Sequence, residues 1–312
     1  MGIVVIGASF VDIKGFPKDT YIPDGRNVGR IEYIHGGVAR NVVEDIANIE
    51  LRPTYIGIVD DTPLGTSVLE KLRRHKVNVD HVLTIPDGMG TWLAVFDNNG
   101  DVAGSISKRP NMLPVVDLLE AKGDEIFSEA DTVVLEVDLD KEIVKKTLEL
   151  AEKHGVRSCG LVSNMSLAAE RRDFLQRFDC FICNRQEAGL LFLDDYSGKT
   201  ADELRDILSE KVMRAKIRSM VVTMGAEGAV YADYFGGKGF CPARKVIVKD
   251  TTGAGDAFCA GVATGLTYGK TLPEAVEIGS MLAASVITSS ENVCPRFLPE
   301  ELGLKIPVPA VP

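Results

Sequence analysis

The 312-residue chain lacks any apolar run near the roughly 18–20 residues that a membrane span requires. Its first residues also lack the basic region, apolar stretch and small-residue cleavage site of a secretory signal. These absences predict a cytoplasmic protein with no membrane partner. A basic surface is missing too: 35 Lys and Arg stand against 45 Asp and Glu, a net charge of −10 with an isoelectric point near 5.0. Nucleic acids and anionic membranes reward positive charge, so neither is an expected partner. Cysteine is sparse, with Cys159, Cys180, Cys183, Cys241, Cys259 and Cys294 scattered rather than set in a disulfide framework, and reduced thiols are expected. The CxxC at Cys180 and Cys183 lies in a strand-like run, where positions three apart face opposite sides, so packing is expected instead of zinc or redox chemistry. The four histidines form no HExxH-like pattern. Internal repeats and low-complexity segments are absent.

What is present is a hydrophobic content of 45%, enough for a sizeable core, and a regular alternation of strand and helix signals. Strands are predicted at Ile3 to Ile6, Thr54 to Val59, Thr132 to Val137, Ser158 to Val162, Phe178 to Cys183, Ser219 to Thr223 and Ala229 to Tyr231. Helices are predicted at 38–49, 63–75, 141–154, 186–192, 201–215 and 273–288, the second with Thr62 as N-cap and Pro63 at its first position. This order predicts one α/β domain over residues 1–312, a mainly parallel sheet covered by helices on both faces.

Two stretches interrupt the alternation. Residues 11–34 are rich in turn formers with short apolar pieces at the ends, and residues 90–108 read as a hairpin turning at Asn98-Asn99-Gly100. Together they could form a small sheet over one edge of the main domain, or the hairpin could be a decoration of the fold. The proline-bearing tail, Pro295, Pro299, Pro307, Pro309 and Pro312, reads as extended.

The chemistry concentrates in Asp250 to Phe258, DTTGAGDAF. A strand over Ala243 to Lys249, with Val246 and Val248 alternating, is expected to lead into it, and a helix over Ala257 to Leu266 to leave it. Gly253 and Gly255 are expected to take conformations closed to other residues, so that N–H groups converge on an anion at the helix start. Asp256 beside such an anion suits a general base that takes the proton of an attacking hydroxyl. An ordinary N-cap is the competing explanation. Ile6-Gly7-Ala8-Ser9 lacks the third glycine of a dinucleotide loop. Asp12 follows it, and Gly36-Gly37 with Asn41 open the first long helix. Asn184-Arg185-Gln186-Glu187 reads as a capping box after a strand, and Thr223 to Gly228, TMGAEG, as a hairpin turn with glycines at Gly225 and Gly228.

In their order these motifs resemble the ribokinase-type (PfkB) carbohydrate and nucleoside kinases over nearly the whole chain. That resemblance implies a ribokinase-like three-layer α/β sandwich with a β lid, and transfer of the γ-phosphate of ATP to a hydroxymethyl group. It implies Asp256 as the base, with Gly253, Ala254 and Gly255 framing the anion hole. Asp12, Gly36, Gly37 and Asn41 would hold the acceptor. Asn184, Glu187, Thr223, Gly225, Gly228 and Asn292 would lie around the nucleotide, Glu187 acting on Mg²⁺ through water. Asp250 and Thr252 would serve a monovalent cation such as K⁺. The form GGVARN is similar to that of pseudouridine kinases, which sets pseudouridine or a related nucleoside ahead of ribokinase-, fructokinase- or sugar-acid-type acceptors. Ser107 to Met112 departs from the pseudouridine pattern, and Lys108 and Arg109 there could meet an acidic substrate or be plain exposed charges. A homodimer through the lid edges is a further expectation. A catalytically silent sugar- or nucleotide-binding regulator is the alternative from another class.

Overall fold

The computed structural model describes residues 2–164 and 169–305. Nine strands form the main sheet: β1 (Ile3–Ile6), β4 (Thr54–Val59), β5 (Asn78–Thr84), β8 (Thr132–Glu136), β9 (Arg157–Leu161), β10 (Cys180–Asn184), β11 (Ser219–Thr223), β12 (Gly228–Asp233) and β13 (Lys238–Pro242). Their order is β13-β12-β11-β10-β9-β8-β1-β4-β5. Every pairing from β11 to β5 is parallel, and only β12 and β13 run antiparallel to their neighbours.

Helices α1 (Val38–Asn48), α2 (Pro63–Arg74), α7 (Ala254–Thr267) and α8 (Leu272–Val286) supply residues to one apolar core. On the other face lie α3 (Pro114–Ser128), α4 (Lys141–His154), α5 (Arg185–Phe192) and α6 (Ala201–Ala215). The period-2 geometry of a strand feeds both cores at once. Ile3 and Val5 point into the first while Val4 and Ile6 point into the second. Cys180 and Cys183 divide the same way and are buried free thiols, consistent with a packing role. Thr62 caps α2 as expected, accepting the Gly65 N–H, with Pro63 in first position.

The chain moves from β1 outward through β4 to β5, then returns to place β8 on the other side of β1. A crevice opens at the C-terminal ends of strands where such an order reverses, and ligands bind there in open α/β sheets. The two interrupting stretches become a four-stranded sheet, β2 (Phe10–Pro17), β3 (Gly29–Gly36), β6 (Gly90–Phe96) and β7 (Val102–Lys108), in the order β3-β2-β6-β7. The turn expected at Asn98 to Gly100 is present, with Gly100 at φ 86. Asn98 ties the two segments together by accepting the Tyr21 N–H at 2.6 Å and donating to Asp19 O at 2.9 Å. The small sheet stands on a short stem: Gly90 N–H donates to Ser9 O at 2.9 Å, just past the end of β1.

Two expectations fail here. Residues 243–249 are not a strand: β13 ends at Pro242, and the following segment has no partner strand. Ile247 is 86% exposed and Val248 55%, so the alternating valines never met a second surface to pack on. The segment rejoins the body where Lys249 N–H donates to Ile287 O at 2.7 Å. Pro299 opens a 3₁₀ turn over Pro299–Leu302, with Leu302 and Leu304 buried, instead of continuing an extended tail. Pro307, Pro309 and Pro312 lie outside the described residues. Sequence periodicity also passed over α3, β5 and β13.

Helices α7 and α8 approach closely because Gly261 and Gly279 meet: a Cβ on Gly261 would come within 2.6 Å of the Gly279 Cα. Since α7 carries Asp256 in its first turn, this contact also sets where the candidate base stands. Gly261→Val is expected to push the helices apart and to destabilise the fold by about 1–3 kcal/mol, as overpacking commonly does. Thermal unfolding would show it as a midpoint several degrees lower; an unchanged midpoint would mean the helices have room to spare.

Candidate active site

The site begins where α7 begins. Gly253 precedes the helix in the left-handed region at φ 81, and a Cβ there would sit 2.0 Å from Asn292 O. Both backbone shape and packing therefore demand glycine at 253. Gly255 differs from the expectation. Its φ is not positive, and a Cβ on it would meet nothing within 4 Å, so neither conformation nor packing requires glycine there. Gly255 instead leaves open space beside the helix start. The N–H of Ala254 donates to Thr251 O at 3.3 Å, and those of Gly255 and Asp256 belong to the first turn, where a helix leaves donors without an intrahelical partner.

Asp256 is half-buried at this turn. Its Oδ2 accepts a 2.6 Å hydrogen bond from Asn41 Nδ2 on α1. Burial pushes the carboxyl up to about 7, helped by the charges of Asp12 and Glu187 and opposed by the Asn41 bond and the Arg40 charge. Asn292 Nδ2 lies 3.3 Å from Asn41 Oδ1 and 2.9 Å from His35 O. The side chains of Asn41 and Asn292 and the turn at Gly253 thus form one connected unit.

The acceptor side is built from β2, β3 and the start of α1. Gly37 precedes α1 at φ 99, and a Cβ on it would come within 2.5 Å of Ala8 O. A Cβ on Gly36 would fall 2.6 Å from Asp12 Oδ1, so the Asp12 carboxylate lies across that glycine. Burial raises the Asp12 carboxyl against the pull of Lys14 and Arg40.

Several supporting residues were not legible as motifs. Glu136, fully buried at the end of β8, accepts N–H bonds from Ala8 at 3.2 Å and Ala39 at 2.8 Å, joining β8 to the end of β1 and the start of α1. Its carboxyl is raised by burial and by the neighbouring Asp138. An acid closing an otherwise apolar strand, Thr132 to Val137, was the available signal. Gly7 is required by this packing, since its Cβ would strike Ala39 Cβ at 2.4 Å. Arg40, 1% exposed, donates to Gly36 O, His35 O and Glu44 Oε2. Burial would raise Glu44, but Arg40 and Lys71 outweigh it and hold the carboxyl low. One turn beyond Asn41, buried Asp45 accepts the Cys294 N–H at 2.6 Å, and this fixes the segment that carries Asn292.

A second group forms at the ends of β10 and β11. Asn184 and Thr223 are paired neighbours in register. Asn184 caps α5 in a full capping box: it accepts the Glu187 N–H at 2.8 Å, and Glu187 Oε2 accepts the Asn184 N–H at 2.7 Å. Burial raises the Glu187 carboxyl. The Thr223–Gly228 turn is the β11–β12 hairpin connection, with Gly225 at φ 60 and Gly228 at φ 118, and an Arg185–Glu227 ion pair fastens it to α5. Asp250 Oδ1 accepts the Thr252 N–H at 2.8 Å, and this bond leads the interactions that hold its carboxyl low. Both residues line a 390 Å³ cavity with Lys14, His35, Glu291 and Asn292.

Lys108 pairs with Asp87 at the surface. Arg109 donates to Asp138 Oδ2 at 2.8 Å, and Asp138, buried, also accepts from the Ser163 N–H and hydroxyl. Arg109 therefore anchors the end of the lid hairpin. Among the described residues no cluster of three metal-ligating side chains occurs, and no helix is long and apolar enough to cross a membrane.

Comparison with known proteins bears on the fold and the family. Over 292 residues the chain is 36% identical to a guanosine-inosine kinase of Exiguobacterium acetylicum, covering 93% of this chain and 95% of that one. It is 25% identical to a pseudouridine kinase of Escherichia coli K12, with 88% and 86% covered. A ribokinase of Arabidopsis thaliana solved with ribose and ATP superposes with a TM-score of 0.83 at 19% identity, covering 96% and 97%. The model of the pfkB family carbohydrate kinases matches residues 2–294. With that match added to the fold and the helix-start carboxylate, the chain belongs to the pfkB family of carbohydrate kinases.

Proposed function

We propose that the chain transfers the γ-phosphate of ATP to the hydroxymethyl group of a nucleoside, a purine nucleoside in the first instance. The observation that carries the reading is the Asn41–Asp256 hydrogen bond at the first turn of α7. A carboxyl poised near neutral pH can accept a proton as the hydroxyl attacks, and its partner fixes which oxygen it uses. The likeness to the guanosine-inosine and pseudouridine kinases supports a nucleoside acceptor.

In this mechanism Asp12 accepts hydrogen bonds from the acceptor's diol, and Gly36 and Gly37 admit the acceptor close to the backbone. Asp256 removes the hydroxyl proton. The N–H groups of Gly255 and Asp256, joined by that of Ala254 once it releases Thr251 O, meet the charge that develops on the transferred group. The Thr223–Gly228 turn and Asn184 border the nucleotide. Mg²⁺ supplies charge neutralisation between phosphates when bound. Phosphate oxygens and water would make up most of its shell, since no three-ligand cluster occurs among the described residues, and Glu187, with Oε2 committed to Asn184, would offer Oε1 to that water.

Replacing Asp256 by Asn is expected to leave ATP binding intact and to cut turnover by roughly 10²- to 10⁴-fold, read by acceptor-dependent ADP release; undiminished turnover would remove Asp256 as the base. In the wild type, kcat/KM should climb with pH to a plateau above about 7, as Asp256 loses its proton. The same carboxyl costs stability. Its folded value lies above the ordinary 3.8, so the stability it permits is full at low pH and is lost as pH rises through about 7. Asp256→Asn should therefore melt higher than wild type at pH 8, with the gap narrowing towards pH 5.

The ionised Asp250, with Thr252, suits a monovalent cation beside the anion hole. K⁺ is expected to raise turnover over a bulky organic cation at equal ionic strength, and equal rates in the two would remove the site. The lid exposes Ile31, Tyr33, Leu93 and Ile106, with Tyr33, Leu93 and Ile106 in one row with Ile13 across the four strands. A second copy covering this face would make a homodimer. Light scattering at working concentration is expected to return twice the mass of 33.7 kDa, and a monomer's mass would count against it.

A further inference from the structure

The opposite face of the lid carries a different set of side chains. Across the four strands Ile34, Asp12, Trp92 and Ser107 occupy one register row, so all four project from the same side of the sheet. Trp92 is the sole tryptophan of the chain. It stands on β6 directly beside Asp12 on β2, one strand spacing of about 4.8 Å away. Further out on this face Phe16 and Phe96 stack on each other with ring centres 4.8 Å apart, and Arg30 lies over Phe16 at 4.2 Å. Phe96 meets Trp92 perpendicular at 6.4 Å. Of these three rings, Trp92 is the one not stacked on another, and it is half-buried, so some of its surface stays open.

We propose that Trp92 is the base-recognition platform of this kinase: a nucleobase stacks on its indole while the ribose diol is held by Asp12. The inference rests on the nucleoside reading above and adds a residue to it. The spacing is what selects the substrate class. A ribose whose hydroxyls sit on Asp12, with its hydroxymethyl group directed to Asp256, has its base as the remaining substituent. The flat surface one strand away from the carboxylate is the indole. A free pentose has only its anomeric hydroxyl to place there, with no ring to stack. Stacking is tolerant of base identity because every base presents a π face, so Trp92 separates nucleosides from sugars, and Ser107, exposed at the next position of the row, offers a hydroxyl to the base edge.

The only tryptophan in the chain makes the test direct. In the full-length wild type without ATP, guanosine is expected to change the intrinsic tryptophan emission saturably, and ribose is expected to leave it unchanged. Trp92→Leu should raise the KM for guanosine roughly 5- to 150-fold, the range a lost base stack implies, with the KM for ATP unmoved; Trp92→Phe should keep most of the affinity. If Trp92→Leu does not fold, the emission titration and the Trp92→Phe kinetics decide. Guanosine turnover with an unaltered KM in a folded Trp92→Leu protein would overturn the platform and leave the kinase reading intact, as would turnover of free sugars alone. A saturable emission change without ADP release for any acceptor would do the reverse, keeping the stack and removing the phosphotransfer. Silence in both would remove both.

Discussion

The hydrogen bond from Asn41 to Asp256 spans 215 residues of sequence, and the arrangement of the site depends on it. A carboxylate at a helix start is usually an exposed cap, free to turn into water. Here the bond holds one oxygen, and the surrounding protein raises the carboxyl towards neutrality. The position of Asn41 is in turn dictated by buried polar contacts around the start of α1. Glu136 receives Ala39, Arg40 grips the carbonyls of His35 and Gly36, and Asn292 reaches both Asn41 and His35 O. Unpaired, each of these buried groups would cost about 1–3 kcal/mol or more. The network therefore has one low-energy arrangement, and that arrangement puts Asn41 against Asp256.

The site is acidic in an acidic protein. Asp12, Glu187 and Asp256 are all raised by burial, and the charges of Asp12 and Glu187 each raise Asp256 further. Such a cleft cannot draw in a triphosphate by its overall field. It has to rely on neutral donors fixed in place, and the glycines at the turn before α1 and the turn before α7 serve that need in different ways. Gly37 and Gly253 are demanded by backbone shape and close packing, while Gly255 is demanded by neither. The open space it leaves beside the helix-start N–H groups is what an incoming phosphoryl group would need.

Much of this was legible in the sequence, and the exceptions share a cause. Strands such as Ile3 to Ile6 and Ser219 to Thr223 could be read because burial on two faces leaves an unbroken apolar run, and the Asn98 to Gly100 turn because its chemistry is local. DTTGAGD could be read because its glycines sit beside a carboxylate at a helix start. The alternation at Val246 and Val248 looked like a strand because periodicity records only what one segment could do; whether a neighbour is present to pair with is a property of the whole sheet. Glu136 and Asp45 were passed over, and Arg109 was read as an exposed charge or a contact to an acidic substrate, for the same reason. Their partners lie 97 residues away for Glu136 with Ala39, 249 for Asp45 with Cys294 and 29 for Arg109 with Asp138; Arg40, also passed over, pairs with Glu44 one turn on, but its other partners, His35 O and Gly36 O, are backbone carbonyls that carry no residue identity.

The lid combines a firmly held base with a free outer edge. Its base is held firmly, by Gly90 on Ser9, by Gly37 packed on Ala8, and by Arg109 on Asp138. Beyond that stem β7 is exposed along its whole length, so side chains there can change at little cost to the core. Asp12 stands at the boundary: it lies on a lid strand, yet its carboxylate crosses Gly36 and its charge is felt at Asp256. On the proposed reading, proton transfer and phosphate contact belong to the sheet ends and helix starts, while the portion of the acceptor beyond its diol belongs to the lid. A substitution at Trp92 or Ser107 would alter the second without moving Asn41, Asp256 or the turn at Gly253, because among the described residues the side chain of neither enters the hydrogen bonds that join Asn41, Asp256 and Asn292.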